Sequence, residues 1–314
     1  MNKRTQLYSQ LQDASKQNRE AKIAAHKLRT ARIKHSVRRR ETLQQTNKQI
    51  PVPKVALDFL AIGDSWFEYP LYNEIPTPFQ NNAIVAQSQL GSMGNPPPQI
   101  LNQALHGQPT TAILSYENQE KMISVLQDPD QWLNEQTGLP DAILVSGGGD
   151  DLVGDQLAIY LDYGGGGLNL TRFQGILDSV QASYLDLFAF RDIFAKSVPI
   201  VGHCYDYAIP NDVHPICTES AWLWPSLSFA GYDYNAGLQI VSQMIDLFQN
   251  MLAGLANNPS NNFSFIDTRN TLTRDALQPI GWANEIHPWY PGFTALANKF
   301  LAGLRTIPAF HNRL

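Results

Sequence analysis

Three segments of the chain bring together residue types able to do nucleophilic chemistry. They read Gly63-Asp64-Ser65-Trp66, Ser146-Gly147-Gly148-Gly149-Asp150-Asp151 and Asn284-Glu285-Ile286-His287-Pro288. A serine hydroxyl is a weak nucleophile until a base takes its proton, and histidine is the side chain best suited to that task near neutral pH. Ser65 and His287 are therefore the pair with chemical potential. The glycines before Asp150 let the backbone come close to a ligand, and the adjacent carboxylates suit polar recognition. Asp151 reads equally well as the N-cap of a following helix.

Residues so far apart in sequence meet only if the intervening elements deliver them to one place. From Val55 onward, short apolar runs alternate with amphipathic stretches. The patterning predicts strands at 55–62, 83–87, 141–146, 198–203 and 263–267, and helices at 98–106, 117–128, 170–196, 233–256 and 292–305. Strands separated by helices imply βαβ units and a parallel sheet covered on both faces. Sites in such sheets lie at the carboxyl ends of the strands. Ser65 follows the first strand, Asp150 the third, and His287 lies on the loop after the last. The expectation is a Ser65–His287 separation of about 2.6–3.2 Å. The run Gly164–Gly167 has no phosphate-type lysine after it and reads as a flexible turn, not a nucleotide cradle.

Composition narrows the class. Hydrophobic residues make up 43% of the 314, enough for a sizeable core. No apolar run approaches the roughly 18–20 residues of a membrane span, and the first fifty residues lack the apolar centre of a signal peptide. A cytoplasmic location, or export by a non-classical route, is the expectation. Cys204 and Cys217 are too few for a disulfide scaffold or a cysteine-based zinc site; two reduced thiols, no metal and no cofactor are expected. Charge divides the chain in two. Residues 1–54 hold 14 of the 23 Lys and Arg against Asp13, Glu20 and Glu41, a net +11, and the other 260 residues carry −16. Residues 1–53 thus read as a basic, helical extension without a clean apolar stripe. It is expected to be separable from a domain at 54–314 and to bind an anionic surface or another copy of the chain.

The three segments, in this order, resemble the blocks of the SGNH/GDSL family of serine esterases and lipases, over about residues 55–305. Gly63-Asp64-Ser65 matches the first block, Gly148-Gly149-Asp150-Asp151 the Gly-x-Asn-Asp block and Asn284-Glu285-Ile286-His287 the Asp-x-x-His block. Gly91 is the better match for the lone glycine of the remaining block, with Gly94 in reserve. The segment 203–210 also looks like a stretch found in bacterial members. The resemblance implies a three-layer α/β/α sandwich around a five-stranded, mainly parallel sheet, flavodoxin-like, and a Ser-His acyl-enzyme mechanism on a carboxylic ester of the lipid, acyl or acetyl kind. It further implies an oxyanion hole from the backbone of Ser65 and Gly91 and the side chain of Asp150. Two positions depart from the family pattern. Asp150 stands where the family has a donating Asn, and serves only if protonated. Asn284 stands where the family has the Asp that orients the histidine, which leaves Asn284, Glu285 and Asp206 as candidates for that role. These departures motivate an alternative: a catalytically degenerate member acting as a binding or structural module. Trp66, Phe67, Tyr69, Trp222, Trp224 and Trp289 fall on the expected site loops, and the long connection 205–234 reads as a lid or specificity loop.

Overall fold

The structure is a computed structural model; it describes residues 56–69, 98–134, 137–214, 218, 220–275, 280–311 and 313–314, with scattered positions between 20 and 42. Seven strands are present among them: β1 (Asp58–Gly63), β2 (Gln99–Asn102), β3 (Ala142–Ser146), β4 (Leu161–Asp162), β5 (Gly167–Leu168), β6 (Ile200–His203) and β7 (Phe263–Ile266). Five form one sheet in the order β2-β1-β3-β6-β7, every neighbouring pair parallel. β4 and β5 make a separate antiparallel ribbon, so the four-glycine run closes a hairpin. β1, β3 and β6 are buried along their whole length, which is why they read as continuous apolar runs instead of alternating ones.

The helices are α1 (Thr110–Ile113), α2 (Tyr116–Leu126), α3 (Gly149–Leu152), α4 (Leu170–Phe194), α5 (Trp224–Phe229), α6 (Tyr234–Ala256) and α7 (Tyr290–Thr306). β7 shows how they are layered. Phe263 packs its ring on Tyr184 and Phe188 of α4, whereas Ile266 lies against Gly303 of α7. Residues three apart on a strand point to opposite faces, so α4 and α7 cover opposite sides and the architecture has three layers. The two long helices are anchored at their starts: Asn169 accepts from Arg172 N and Asp233 from Ala236 N, each offsetting an orphan donor. No described helix is long and apolar enough to cross a membrane.

One element differs in type from expectation. The segment 98–106, read as a helix, supplies the edge strand β2. Its apolar residues Ile100, Leu101, Ala104 and Leu105 fit a helical stripe, but Gln99 N donates to Leu57 O and Gln103 N to Ala61 O, and pairing with β1 overrides the local pattern. The strand expected at 83–87 lies outside the described residues, as do Gly91, Gly94, Cys217 and the expected boundary near residue 53. Cys204 is a buried free thiol.

The described arm residues are helical, and two of them are buried against the domain. Arg29 Nη2 lies 2.5 Å from Asp58 Oδ1 at the foot of β1, its guanidinium 5.0 Å from the centre of the Trp132 ring. Ile33 packs with Ala56 and Leu133. Four Lys or Arg lie within 34–40, past these contacts.

Candidate active site

In a sheet whose parallel strands run 2-1-3-4-5, the crevice opens where the order reverses, between the first and third strands. Here that is the top of β1 and β3, where the segments of Ser65 and Asp150 begin. Gly63, at φ +131°, makes the turn possible: a Cβ there would stand 2.0 Å from Ser146 O, so only glycine lets β1 end against β3. Asp64 Oδ1 accepts from Trp66 N at 3.0 Å, and Asp64 O accepts from Phe67 N and Glu68 N. The resulting turn presents Ser65, and Trp66 Nε1 ties it to the last loop by donating to Ile286 O.

The last loop brings His287 to Ser65. Its Nε2 lies 2.8 Å from Ser65 Oγ, and its Nδ1 lies 3.1 Å from Asn284 Oδ1. Asn284 Oδ1 also accepts from the backbone N–H of Ile286 and His287, while its amide donates to Tyr69 Oη. Asn284 is thus oriented with its oxygen toward the ring. A carbonyl-type oxygen only accepts, so Nδ1 carries the ring hydrogen and Nε2 faces the serine as an acceptor. Tyr69 stacks on the imidazole at 3.8 Å between centroids and 9° between planes, and Trp222 meets it edge-on at 5.5 Å. Burial, and secondarily His106, pushes the His287 pKa down to about 3, so the ring is a neutral base at physiological pH.

The other two candidates for orienting the histidine are engaged elsewhere. Glu285 accepts from the backbone N–H of Asp212, Leu223 and Trp224. Asp206 accepts from those of Tyr207, Asn270, Thr271 and Leu272. Both pin loops, and Glu285 fixes part of the segment 205–234 as a wall beside the site.

Three carboxyl groups gather beside Ser65. Asp151 accepts from Thr110 N at 2.9 Å and Thr110 Oγ1 at 3.0 Å, the behaviour of a carboxylate. Asp150 is different: its Oδ2 is buried without a hydrogen-bond partner. Burial above all, with negative charge on the neighbouring Asp151 adding to it, raises its pKa to about 8.

The state of Asp64 follows from counting hydrogens. His203 Nδ1 lies 3.0 Å from Cys204 O and its Nε2 lies 2.9 Å from Ser146 Oγ. The carbonyl only accepts, so Nδ1 carries the hydrogen and Nε2 must receive one from the Ser146 hydroxyl. Ser146 Oγ also lies 2.5 Å from Asp64 Oδ1, and with its one hydrogen used, the hydrogen in that contact comes from Asp64. Burial raises Asp64 and lowers His203 to about 4, so the proton stays on the acid. Tyr205 donates its hydroxyl hydrogen to Asp64 Oδ2 and accepts from Gly149 N. Ser146, His203 and Tyr205 carry no sequence signal for this role, because their partners lie on neighbouring strands.

A cleft adjoins the site, with Ser65 and Asp150 in its wall beside Leu152, Leu223, Met244 and Ile286. Among the described residues no three His, Cys, Asp or Glu side chains are grouped to hold a metal ion.

No protein-family model matches the chain, and no curated protein matches it. Solved structures do. A lipase, Lip_vut3, from a goat rumen metagenome is 19% identical, with 79% of this chain and 97% of that one covered at a TM-score of 0.46. An extracellular lipase from Streptomyces rimosus is 15% identical over 79% and 99% at 0.48. An inhibitor-bound aryl esterase of M. smegmatis is 14% identical over 80% and 100% at 0.47. Each is a protein to which this chain is similar in fold.

Proposed function

We propose that this chain is a serine hydrolase of the SGNH/GDSL type that cleaves carboxylic esters through an acyl-enzyme. The observation that carries the reading is the 2.8 Å contact between Ser65 Oγ and His287 Nε2, with the tautomer set by Asn284. Ser65 Oγ attacks the ester carbonyl carbon as His287 Nε2 takes its proton. The carbonyl oxygen becomes an oxyanion, for which the Ser65 N–H and the neutral carboxyl of Asp150 are the described donors. His287 then gives its proton to the departing alkoxy oxygen, and the C–O bond breaks. Water, deprotonated by His287, attacks the acyl-serine and releases the carboxylic acid and free Ser65.

Asn284 orients the ring but brings no charge to the imidazolium that forms. Stacked Tyr69 supports it only weakly, so turnover is expected to be slower than that of an enzyme with a carboxylate there. The test is hydrolysis of p-nitrophenyl butyrate by the wild type and by Ser65→Ala. The rate should fall by about 10⁴ or more in the variant. Hydrolysis that survives the substitution undiminished refutes the assignment.

A further inference from the structure

His287 is tethered at Nδ1 by a neutral amide. A hydrogen bond of that kind is about half as strong as one made to a carboxylate, so it restrains the ring less. Two aromatic side chains restrain it further. Tyr69 stacks on one face at 3.8 Å, and Trp222 meets the ring edge-on at 5.5 Å. Tyr69 belongs to the segment that carries Ser65, and its hydroxyl is tied to the Asn284 amide. Trp222 comes from the long connection between β6 and α6 and needs an anchor of its own.

That anchor is Glu285, whose side chain is fully buried. Its Oε1 accepts from Asp212 N at 3.1 Å and Trp224 N at 2.8 Å, and its Oε2 accepts from Leu223 N at 2.5 Å. Its backbone N–H donates to Val213 O, and its carbonyl accepts from Ile209 N. One residue thus gathers both arms of the connection, 209–213 and 223–224, and Trp222 stands directly before the second arm. A buried carboxylate is costly unless its oxygens are hydrogen-bonded; here three N–H groups converge on it, and an apolar side chain could not hold them together. Consecutive residues of the last loop therefore act on His287 from two directions, Asn284 through the ring nitrogen and Glu285 through Trp222. Building on the hydrolase reading, we propose that Glu285 is a positioning residue that fixes Trp222 against His287 and so keeps the imidazole at Ser65, supplying by packing the restraint that a neutral Asn284 does not supply by charge.

The experiment is a double-mutant cycle on the full chain, read with p-nitrophenyl butyrate and with nitrogen NMR of the His287 ring. Glu285→Gln keeps one acceptor oxygen but turns an amide N–H toward backbone N–H groups, which breaks the clasp. Glu285→Gln and Trp222→Ala should each lower kcat/KM by about tenfold, because a displaced base loses its alignment. If Glu285 acts through Trp222, the double variant should lie within about twofold of the slower single one. Asn284→Asp, added to Glu285→Gln, should recover most of the lost rate by restoring a charged tether. In the resting protein the His287 hydrogen should sit on Nδ1 alone in the wild type and be shared between the two ring nitrogens in Glu285→Gln. Glu285→Asp, which keeps the charge but shortens the reach, takes the place of Glu285→Gln in the same cycle if the glutamine variant does not fold. Losses that simply multiply in the double variant overturn the proposal and leave the hydrolase reading standing, since they show Glu285 and Trp222 acting independently. An unchanged His287 tautomer in Glu285→Gln overturns it as well. Absence of Ser65-dependent hydrolysis in the wild type overturns the hydrolase reading, and the NMR comparison then still decides whether Glu285 holds the ring.

Discussion

At the scale of single residues, protonation decides what the site can do. In the proposed mechanism Asp150 would donate to an oxyanion only as the neutral acid, a form favoured by a pKa raised to about 8; as a carboxylate it would repel the developing charge. The expectation is that wild-type kcat/KM declines as pH rises through about 8, while Asp150→Asn, whose amide donates at every pH, lacks that decline. The two should be similar at pH 6, and the variant faster by about tenfold at pH 9, one unit above the pKa. A pH–rate profile of both proteins checks this, and an unaltered alkaline decline in Asp150→Asn contradicts it. Asp64 supports a second expectation. If it is neutral and donates to Ser146, Asp64→Asn should leave the hydrogen of His203 on Nδ1, since its amide can keep that donation, but the same position then no longer accepts from Trp66 N; activity should fall moderately, and further in Asp64→Ala, which strips every one of these contacts. Nitrogen NMR of the His203 ring, read beside turnover, distinguishes a neutral acid from an ion pair. Ser65, His287 and Asn284 were legible in the sequence because each lies in a short contiguous block, Ser65 directly after β1 and the other two on the loop between β7 and α7. Ser146, His203 and the stacking of Tyr69 on His287 were not, because those contacts join segments that only the folded sheet makes neighbours.

At the scale of elements, the site is positioned by where strands stop. Gly148 ends the β3 turn at φ +113°, and a Cβ there would fall 2.5 Å from Phe248 Cε2 on α6. Gly148→Ala therefore combines an unfavourable backbone conformation with overpacking against a helix. It should cost about 2–4 kcal/mol and lower activity by moving Asp150, two residues on. Urea unfolding measures the first effect and kcat the second; an unchanged midpoint sinks the account. The buried strands β1, β3 and β6 were readable as apolar runs, and α4, α6 and α7 as long amphipathic or apolar stretches. β2 was not, since four residues at a sheet edge carry too little pattern to outweigh helical spacing and owe their form to hydrogen bonds with β1.

At the scale of the whole molecule, the basic arm is more than a solvated appendage. A buried Asp58 without its cation is costly, and its carboxyl, raised by burial to about 6 even with Arg29 beside it, would rise further without it. Arg29→Ala, or removal of residues 1–50, should destabilise the domain by about 3–5 kcal/mol at pH 8. The loss should be smaller at pH 5: the raised folded-state pKa means that protonating Asp58 relieves the penalty as pH falls, and stability is lost as pH rises. Chemical denaturation at both pH values tests this, and a domain that melts as before without the arm would restore the expectation of separability. The contact could not be read from the sequence, because one arginine among fourteen basic residues gives no sign that it meets a strand's first carboxylate.

The last residues of the chain reach that same pole. Phe310 packs edge-on against Phe59, and Arg313 grips Asp141 and reaches Ala56 O. β1 has six residues, so the end that meets Arg313 and the end that leads into Ser65 are about 20 Å apart. A bead, electrode or fusion partner coupled through Leu314 would therefore sit at the opposite end of the strands from Ser65.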